Sequence, residues 1–169
     1  MDMRAIVLDG PVPPEELRVR RVPVPEPPTG WVRIKVEAFG LNRSEYHLRA
    51  GLATNAKFPV IPGIEAAGTV DLAPGGEFAP GQQVVAMMGG MGRAYDGGYA
   101  EYTVVPVASV IPVRTDLDWA TLGALPEMLQ TAPARSTPGW RSSRGSRCSF
   151  AAVRRPWASR PPYSPRNTD

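Results

Sequence analysis

The segment WVRIKVEA alternates apolar and charged residues with the two-residue period of a β-strand. The two classes fall on opposite faces: Val32, Ile34, Val36 and Ala38 on one, and Arg33, Lys35 and Glu37 on the other. Such a strand has one face for a core and one for water. Because its apolar face must be buried against other elements, the chain has to build a sheet around it.

Four other apolar runs, separated by proline and glycine, are also candidates for short strands: MRAIVLD, GIEAAGTVDL, QQVVAMM and AEYTVVPVASVIPV. Several short strands at close spacing predict a small β-barrel or sandwich. One helical stretch follows, TDLDWATLGALPEMLQTA, in which Asp118 can cap the first turn and Pro126 should break or restart the helix. The predicted fold class is therefore mostly β with a little α.

The composition changes after residue 132. Residues 1–132 hold 11 Lys+Arg and 15 Asp+Glu, whereas residues 133–169 hold 8 arginines and one acid, with many prolines and serines. The second segment has no sustained apolar period, so it cannot bury enough surface to offset the entropy of ordering. The sequence thus predicts a folded domain over 1–132 and a disordered tail over 133–169.

The remaining composition indicates a cytoplasmic protein. The only cysteine is Cys148, which excludes an internal disulfide framework. The start MDMRAIVLDG lacks the pattern of a secretory signal. No run approaches the roughly 18 apolar residues of a membrane-spanning helix. We therefore expect no association with a membrane.

Five motifs in order resemble the N-terminal half of the medium-chain dehydrogenase/reductase superfamily, in its zinc-independent quinone oxidoreductase branch. They are VEAFGLNRSEYHLRAG (36–51), FPVIPGIEAAGTV (58–70), FAPGQQVVAM (78–87), GGYAEYTVVP (97–106) and WATLGALPEMLQTA (119–132). The resemblance implies a GroES-like, partly open β-barrel as the catalytic half. In complete members a Rossmann domain that binds NADPH follows, and dimers are common.

The resemblance also implies a reaction, hydride transfer from NADPH to a quinone or an α,β-unsaturated carbonyl. By position in the motifs, Asn42 and Tyr46 would be catalytic and cofactor-binding residues that donate hydrogen bonds to a developing oxygen anion. Thr131 would contact the nicotinamide amide. Two plainer interpretations stay open: Asn42 could occupy a left-handed turn, and Tyr46 could belong to the core.

The resemblance bears on metal binding as well. Zinc-dependent relatives place cysteine and histidine where this chain has Asn42 and Ile64, and neither an amide nor an alkyl group binds zinc usefully. With one cysteine and one histidine in the whole chain, no zinc site is expected. His47 is interpreted as a surface or pocket-lining residue. Glu65 is expected to be structural, with a salt bridge near the floor of the site as one possibility.

The glycine-rich segment GGMGRAYDGG (89–98) resembles a phosphate-binding loop in composition only. No G-x-G-x-x-G follows a strand and opens a helix there. We therefore interpret it as a loop between strands at the mouth of the barrel.

The arginine-rich tail can be read in a second frame. If every codon is read one base earlier, Ala134 to Trp140 can encode GSLNTGL, and Ala152 to Arg166 can encode GGTSSVGLAAAVLAK. The latter resembles the family's dinucleotide-binding turn and helix, which hold the pyrophosphate. One step is forced, because the single tryptophan codon of Trp157 ends in G, which with the GC of Ala158 gives glycine. This pattern predicts a frameshift near residues 132–134, and a truncated, inactive chain that does not hold NADPH.

A second hypothesis is a non-enzymatic β-barrel with a basic arm. Eight arginines could give salt-dependent affinity for nucleic acid or another polyanion. However, no nucleic-acid-binding motif is present, and the tail's aromatic residues follow no stacking pattern. A shifted GC-rich frame also produces arginine, proline and serine without selection for binding, so the sequence favours the oxidoreductase.

Overall fold

A computed structural model of the chain describes residues 1–54 and 56–136, which form seven short strands and three α-helices. The strands are β1 (Asp2–Ile6), β2 (Val19–Pro23), β3 (Trp31–Ala38), β4 (Glu65–Leu72), β5 (Gln83–Met87), β6 (Tyr102–Pro106) and β7 (Val110–Pro112). The helices are α1 (Arg43–Arg49), α2 (Trp119–Gly123) and α3 (Pro126–Ser136), and single 3-10 turns lie at Pro14–Glu16 and Val107–Ser109. The predicted class, mostly β with a little α, is confirmed.

The strands form two antiparallel sheets. β1 pairs with β2, and the larger sheet has the order β6-β3-β4-β5-β7. Its two edge strands are joined by the short turn at Val107–Ser109, and both send side chains into one core. That core contains residues from all five strands: Val32, Ile34, Ala66, Val70, Val84, Ala86, Val105 and Val110. A sheet whose edges share one core must curl, so the predicted partly open barrel is confirmed.

Strand β3 has the two faces that its sequence predicts. Val32 and Ile34 are completely buried, whereas Lys35 and Glu37 are exposed. Arg33 is only partly exposed, and its Nε forms an ion pair with Asp71 Oδ2 on β4 at 2.6 Å. The apolar face therefore holds the strand in the core, and this ion pair connects it to its neighbour across the sheet.

Two elements, β2 and α1, were not predicted from the sequence. β2 reads VRRVP, in which apolar and polar residues do not alternate, and most of its residues are exposed. Helix α1 reads RSEYHLR and buries only Glu45 and Leu48, so it has no apolar stripe. The spacing of Asn42 and Glu45, an N-cap residue followed three positions later by glutamate, is the signal that could have located α1.

The C-terminal helices follow the predicted pattern of a cap and a break. Asp118 precedes α2, and its carboxylate accepts hydrogen bonds from Thr121 N (2.9 Å) and Thr121 Oγ1 (2.8 Å), which lower the pKa of Asp118. Pro126 begins α3, and this helix continues to Ser136, past the boundary predicted near residue 132. From residue 137 onward, the predicted disordered tail lies outside the described residues.

Within residues 1–54 and 56–136, no helix has the length and apolar character needed to cross a membrane.

Candidate active site

A buried carboxylate, Glu65, joins three parts of the fold at the first residue of β4. Its Oε1 accepts a hydrogen bond from Asn42 Nδ2 at 2.7 Å, and its Oε2 accepts one from the backbone N–H of Glu127 at 2.8 Å. Asn42 is the N-cap of α1, and Glu127 lies in the first turn of α3. Glu65 itself is 2% exposed, so its carboxylate is shielded from water. One side chain thus connects two helices to the barrel.

A second buried carboxylate, Glu45, lies beside the first. Its Oε1 accepts from the backbone N–H of Ile64 (2.9 Å), and its Oε2 accepts from that of Asn42 (2.8 Å). Burial raises the pKa of Glu45 most, and the nearby charge of Glu65 raises it further, although the two backbone bonds oppose the shift. Asn42 therefore lies between two acids, with its backbone bound to one and its amide to the other.

The backbone around Glu65 is packed too closely for side chains. A Cβ on Gly40 would lie 2.1 Å from Glu65 Oε1, and a Cβ on Gly98 would lie 2.3 Å from the carbonyl oxygen of Glu65. Glycine is therefore required at position 98, where the neighbour is backbone, and a side chain at position 40 would displace the Glu65 carboxylate. The carboxylate is consequently enclosed by backbone as well as held by hydrogen bonds.

An aromatic pair accompanies the two acids. The rings of Phe39 and Tyr99 stack with centroids 4.5 Å apart. Burial raises the pKa of the Tyr99 hydroxyl, and the charges of Glu45 and Glu65 raise it further. The phenol therefore stays protonated at physiological pH and provides a neutral wall beside the two carboxylates.

Asn42 has the extended backbone of a helix N-cap, with φ −112° and ψ 155°. The alternative that it occupies a left-handed turn is therefore wrong. One of its two amide hydrogens is used by Glu65, and the structure shows no partner for the other among the described residues. Asn42 can thus still donate one hydrogen bond to a bound molecule.

Tyr46 is 50% exposed on α1, so the alternative that it belongs to the core is also wrong. The guanidinium carbon of Arg49 lies 5.6 Å from the centre of its ring. The hydroxyl of Tyr46 has no hydrogen-bond partner within the described part of the chain, and it is available to a ligand.

Thr131 is exposed on α3, and its Oγ1 lies 2.5 Å from Glu127 O and 2.7 Å from Glu127 Oε1. Its single hydroxyl hydrogen can serve only one of these oxygens. Glu127 in turn bonds to Glu65 through its backbone. Asn42 and Thr131 are therefore linked through Glu65 and Glu127, whereas Tyr46 joins this network only through its helix.

The donor set does not fit a zinc ion. Asn42 directs an amide nitrogen at Glu65, and the side chain of Ile64 is an alkyl group, 8% exposed. No three His, Cys, Asp or Glu residues of the described segments are grouped so that they could hold a metal. His47 is half-buried on α1, with Nε2 3.4 Å from Arg43 Nε. Asn42 and Tyr46 can each offer a hydrogen-bond donor to a bound molecule.

The sequence did not reveal how Glu65 is bonded, nor that Glu45 and Glu127 belong to the site. The possibility of a salt bridge at Glu65 is wrong, because its partners are an amide and a backbone N–H. Within the described chain no cation lies within salt-bridge distance of it. The spacing of Asn42 and Glu45 could have pointed to Glu45, whereas nothing in the local sequence indicates Glu127.

The glycine-rich segment 89–98 is a loop between β5 and β6, as predicted. Met91 of this loop is 1% exposed and packs in the barrel core. Gly89, Gly90 and Gly92 have positive φ angles. Met91 fixes the loop to the barrel core, and no helix begins within residues 89–98, so the loop lacks the geometry of a dinucleotide-binding turn.

Substituting Glu45 with glutamine should change how stability depends on pH. Because the folded-state pKa of Glu45 is raised, its contribution to stability is fully present below its unfolded value of about 4.5 and is lost as pH rises through the folded value. Relative to the wild type, Glu45→Gln should therefore gain stability between about pH 4 and pH 7. Urea denaturation at both pH values would measure this, with the exposed Glu15→Gln as control. A constant difference across this range would contradict the expectation.

Comparisons with known proteins agree on one family. The model of the alcohol dehydrogenase GroES-like domain matches residues 28–115. The chloroplastic quinone-oxidoreductase QR1 of Triphysaria versicolor is 36% identical over 113 residues, which cover 62% of this chain and 32% of that protein. The chain spans about a third of the length of the curated relatives it matches.

Solved structures show the same likeness. The human synaptic vesicle membrane protein VAT-1 homolog-like protein aligns with a TM-score of 0.71 and 32% identity, over 80% of this chain and 43% of that one. The quinone oxidoreductase from Coxiella burnetii aligns with a TM-score of 0.70 and 25% identity, over 80% and 46% respectively. In both cases the similarity covers less than half of the larger chain.

Proposed function

Because the chain belongs to the alcohol dehydrogenase GroES-like domain family, we propose that it forms the catalytic half of an NADPH-dependent oxidoreductase. Its substrate is a quinone or an α,β-unsaturated carbonyl, and the reaction needs no zinc. Similarity to two quinone oxidoreductases supports the reaction class. The finer assignments rest on the side chains around Glu65.

The observation that carries this proposal is a pair of uncharged hydrogen-bond donors, Asn42 and Tyr46. A zinc site would instead need thiolate, imidazole or carboxylate ligands. Asn42 keeps one free amide hydrogen, and Tyr46 presents an exposed hydroxyl one turn further along α1. NADPH, when bound, supplies the hydride. The two donors then stabilise the charge that develops on the substrate oxygen, and Thr131 holds the nicotinamide amide.

The proposal includes the frameshift near residues 132–134. It is supported by the second reading frame of Ala152 to Arg166, whose possible codons are compatible with the family's phosphate-binding turn and helix at all fifteen positions. Without that turn, the chain lacks the backbone N–H groups that hold a pyrophosphate. The nucleotide sequence decides the point, because an open frame encoding GGTSSVG must lie beside the tail. If that frame is closed by stop codons, the frameshift is excluded.

Titration with NADPH should separate the proposal from its alternative. We expect the 169-residue chain to show no saturable change in NADPH fluorescence up to about 1 mM, the upper end of ordinary KM values. A chain restored to the second frame should bind NADPH and oxidise it when 1,4-benzoquinone is added. Failure of the restored chain to do either would refute the proposed function. Tight, salt-sensitive binding of DNA by the tail alone would instead support the basic-arm hypothesis.

A further inference from the structure

The contacts of Glu65 determine which way the Asn42 amide faces. A carboxylate only accepts hydrogen bonds, and both oxygens of Glu65 are occupied by donors, Asn42 Nδ2 and Glu127 N. The amide nitrogen of Asn42 must therefore point towards Glu65. Reversing the amide would place its oxygen against an oxygen of the buried Glu65 carboxylate, which is unfavourable.

We propose that Glu65 is a positioning residue that fixes this amide orientation and thereby aims the second N–H of Asn42 at the substrate oxygen. The use of that N–H rests on the function proposed above, whereas the orientation itself does not. Glu65 contacts neither cofactor nor substrate in this scheme. It acts through Asn42.

The surroundings of Glu65 leave it little freedom to adopt another position. Gly40 approaches Oε1 so closely that even a methyl group would not fit between them, and Glu65 is 2% exposed. The second oxygen is held by the first turn of α3. A side chain enclosed on one side and bonded on the other can keep a neighbouring amide in one orientation.

Glu65→Gln tests the orientation because glutamine nearly preserves the size of the side chain. The introduced glutamine can keep an oxygen towards Glu127 N only by directing its nitrogen at Asn42. The hydrogen bonds of residue 65 are all satisfied if the Asn42 amide reverses and its oxygen accepts from the new amide nitrogen, at the cost of the capping contact between the Asn42 side chain and the backbone of Glu45. The variant should therefore fold, with the Asn42 carbonyl turned to where its N–H had been.

The experiment is amide hydrogen exchange and proton–proton NOE measurement on the 15N-labelled 169-residue chain. In Glu65→Gln, the Asn42 side-chain hydrogens should lose their NOEs to residue 65 and exchange at least about 10-fold faster. The backbone N–H of Glu127 should remain protected, as should that of Val70, which bonds to Gln82 O at 2.9 Å in the barrel. The exposed Glu16→Gln is the control and should change none of these signals.

Two results would overturn the proposal. If Asn42 exchanges equally fast in the variant and the wild type, Glu65 does not hold the amide. If the protection of Val70 falls together with that of Asn42, Glu65 merely stabilises the fold. Because neither measurement uses NADPH or a quinone, failure here and failure of the proposed function are distinguishable.

A reversed pair gives an independent check. Asn42→Asp alone places two carboxylates together and should destabilise the chain. When Glu65→Gln is added, the introduced amide can donate to the introduced carboxylate and still accept from Glu127 N, so the double variant should recover most of the lost stability. A double variant no more stable than Asn42→Asp in urea denaturation would contradict the pairing.

Discussion

Replacing Gly68 with alanine is expected to prevent the barrel from forming stably. A Cβ on this residue of β4 would lie 2.0 Å from the carbonyl oxygen of Lys35 and 3.1 Å from Ile34 Cγ2 on β3. Because the first of these is a backbone atom in the central strand pair, relief requires the strands to separate. We expect a loss of about 3 kcal/mol or more, a large part of the stability of an ordinary domain.

Circular dichroism and urea denaturation would measure this loss, and Gly10→Ala is the matched control. A Cβ on Gly10 would meet no atom within 4 Å, and its φ is not positive. That substitution should change the free energy of unfolding by no more than about 0.5 kcal/mol. If both variants unfold at the same urea concentration, the close approach of β3 and β4 is not what requires a glycine at position 68.

Tyr46→Phe is expected to lower kcat/KM about 100-fold in a chain whose frame continues into the NADPH-binding domain. The substitution removes only a hydroxyl, which we propose as a donor to the developing oxygen anion. Because Tyr46 is 50% exposed and its hydroxyl has no partner within the described residues, stability should hardly change. The rate is measured as the consumption of NADPH in the presence of 1,4-benzoquinone, followed by the loss of its nicotinamide absorbance.

Tyr102→Phe serves as the control for this substitution. Tyr102 is half-buried on β6, where its ring lies 6.0 Å from the guanidinium of Arg33. Removing its hydroxyl should leave kcat/KM within about two-fold, because it lies outside the proposed donor pair. An equal loss of activity in both variants, or no loss in Tyr46→Phe, would show that Tyr46 is not the donor.

The strands with clear alternation or continuous apolar runs could be predicted from the sequence. β3 and β4 lie where their patterns indicate, and Asp118 and Pro126 mark the start of α2 and α3. These signals are local. Each depends either on the conformational preference of one residue or on the alternation of residues within one strand. Helix α1 has no such signal, because its seven residues bury only Glu45 and Leu48.

The site was predictable only in part. The family motifs pointed to Asn42, Tyr46 and Thr131 as functional residues, and those roles remain predictions. The motifs did not indicate that Asn42 donates to Glu65, or that Glu65 also accepts from α3. Local spacing carries no information about pairs that are 23 and 62 residues apart in the chain.

A mostly β domain, a family resemblance and the presence of only one cysteine and one histidine could be read from the order of residues alone. The alternation in WVRIKVEA was sufficient for its strand, because burial of one face depends only on the order of residues. Only the folded chain shows that two acids are buried beside Asn42, and that one of them, Glu65, accepts a hydrogen bond from its amide. That arrangement depends on the curl of the sheet and on the close packing permitted by Gly40 and Gly98, which bring distant residues to one point.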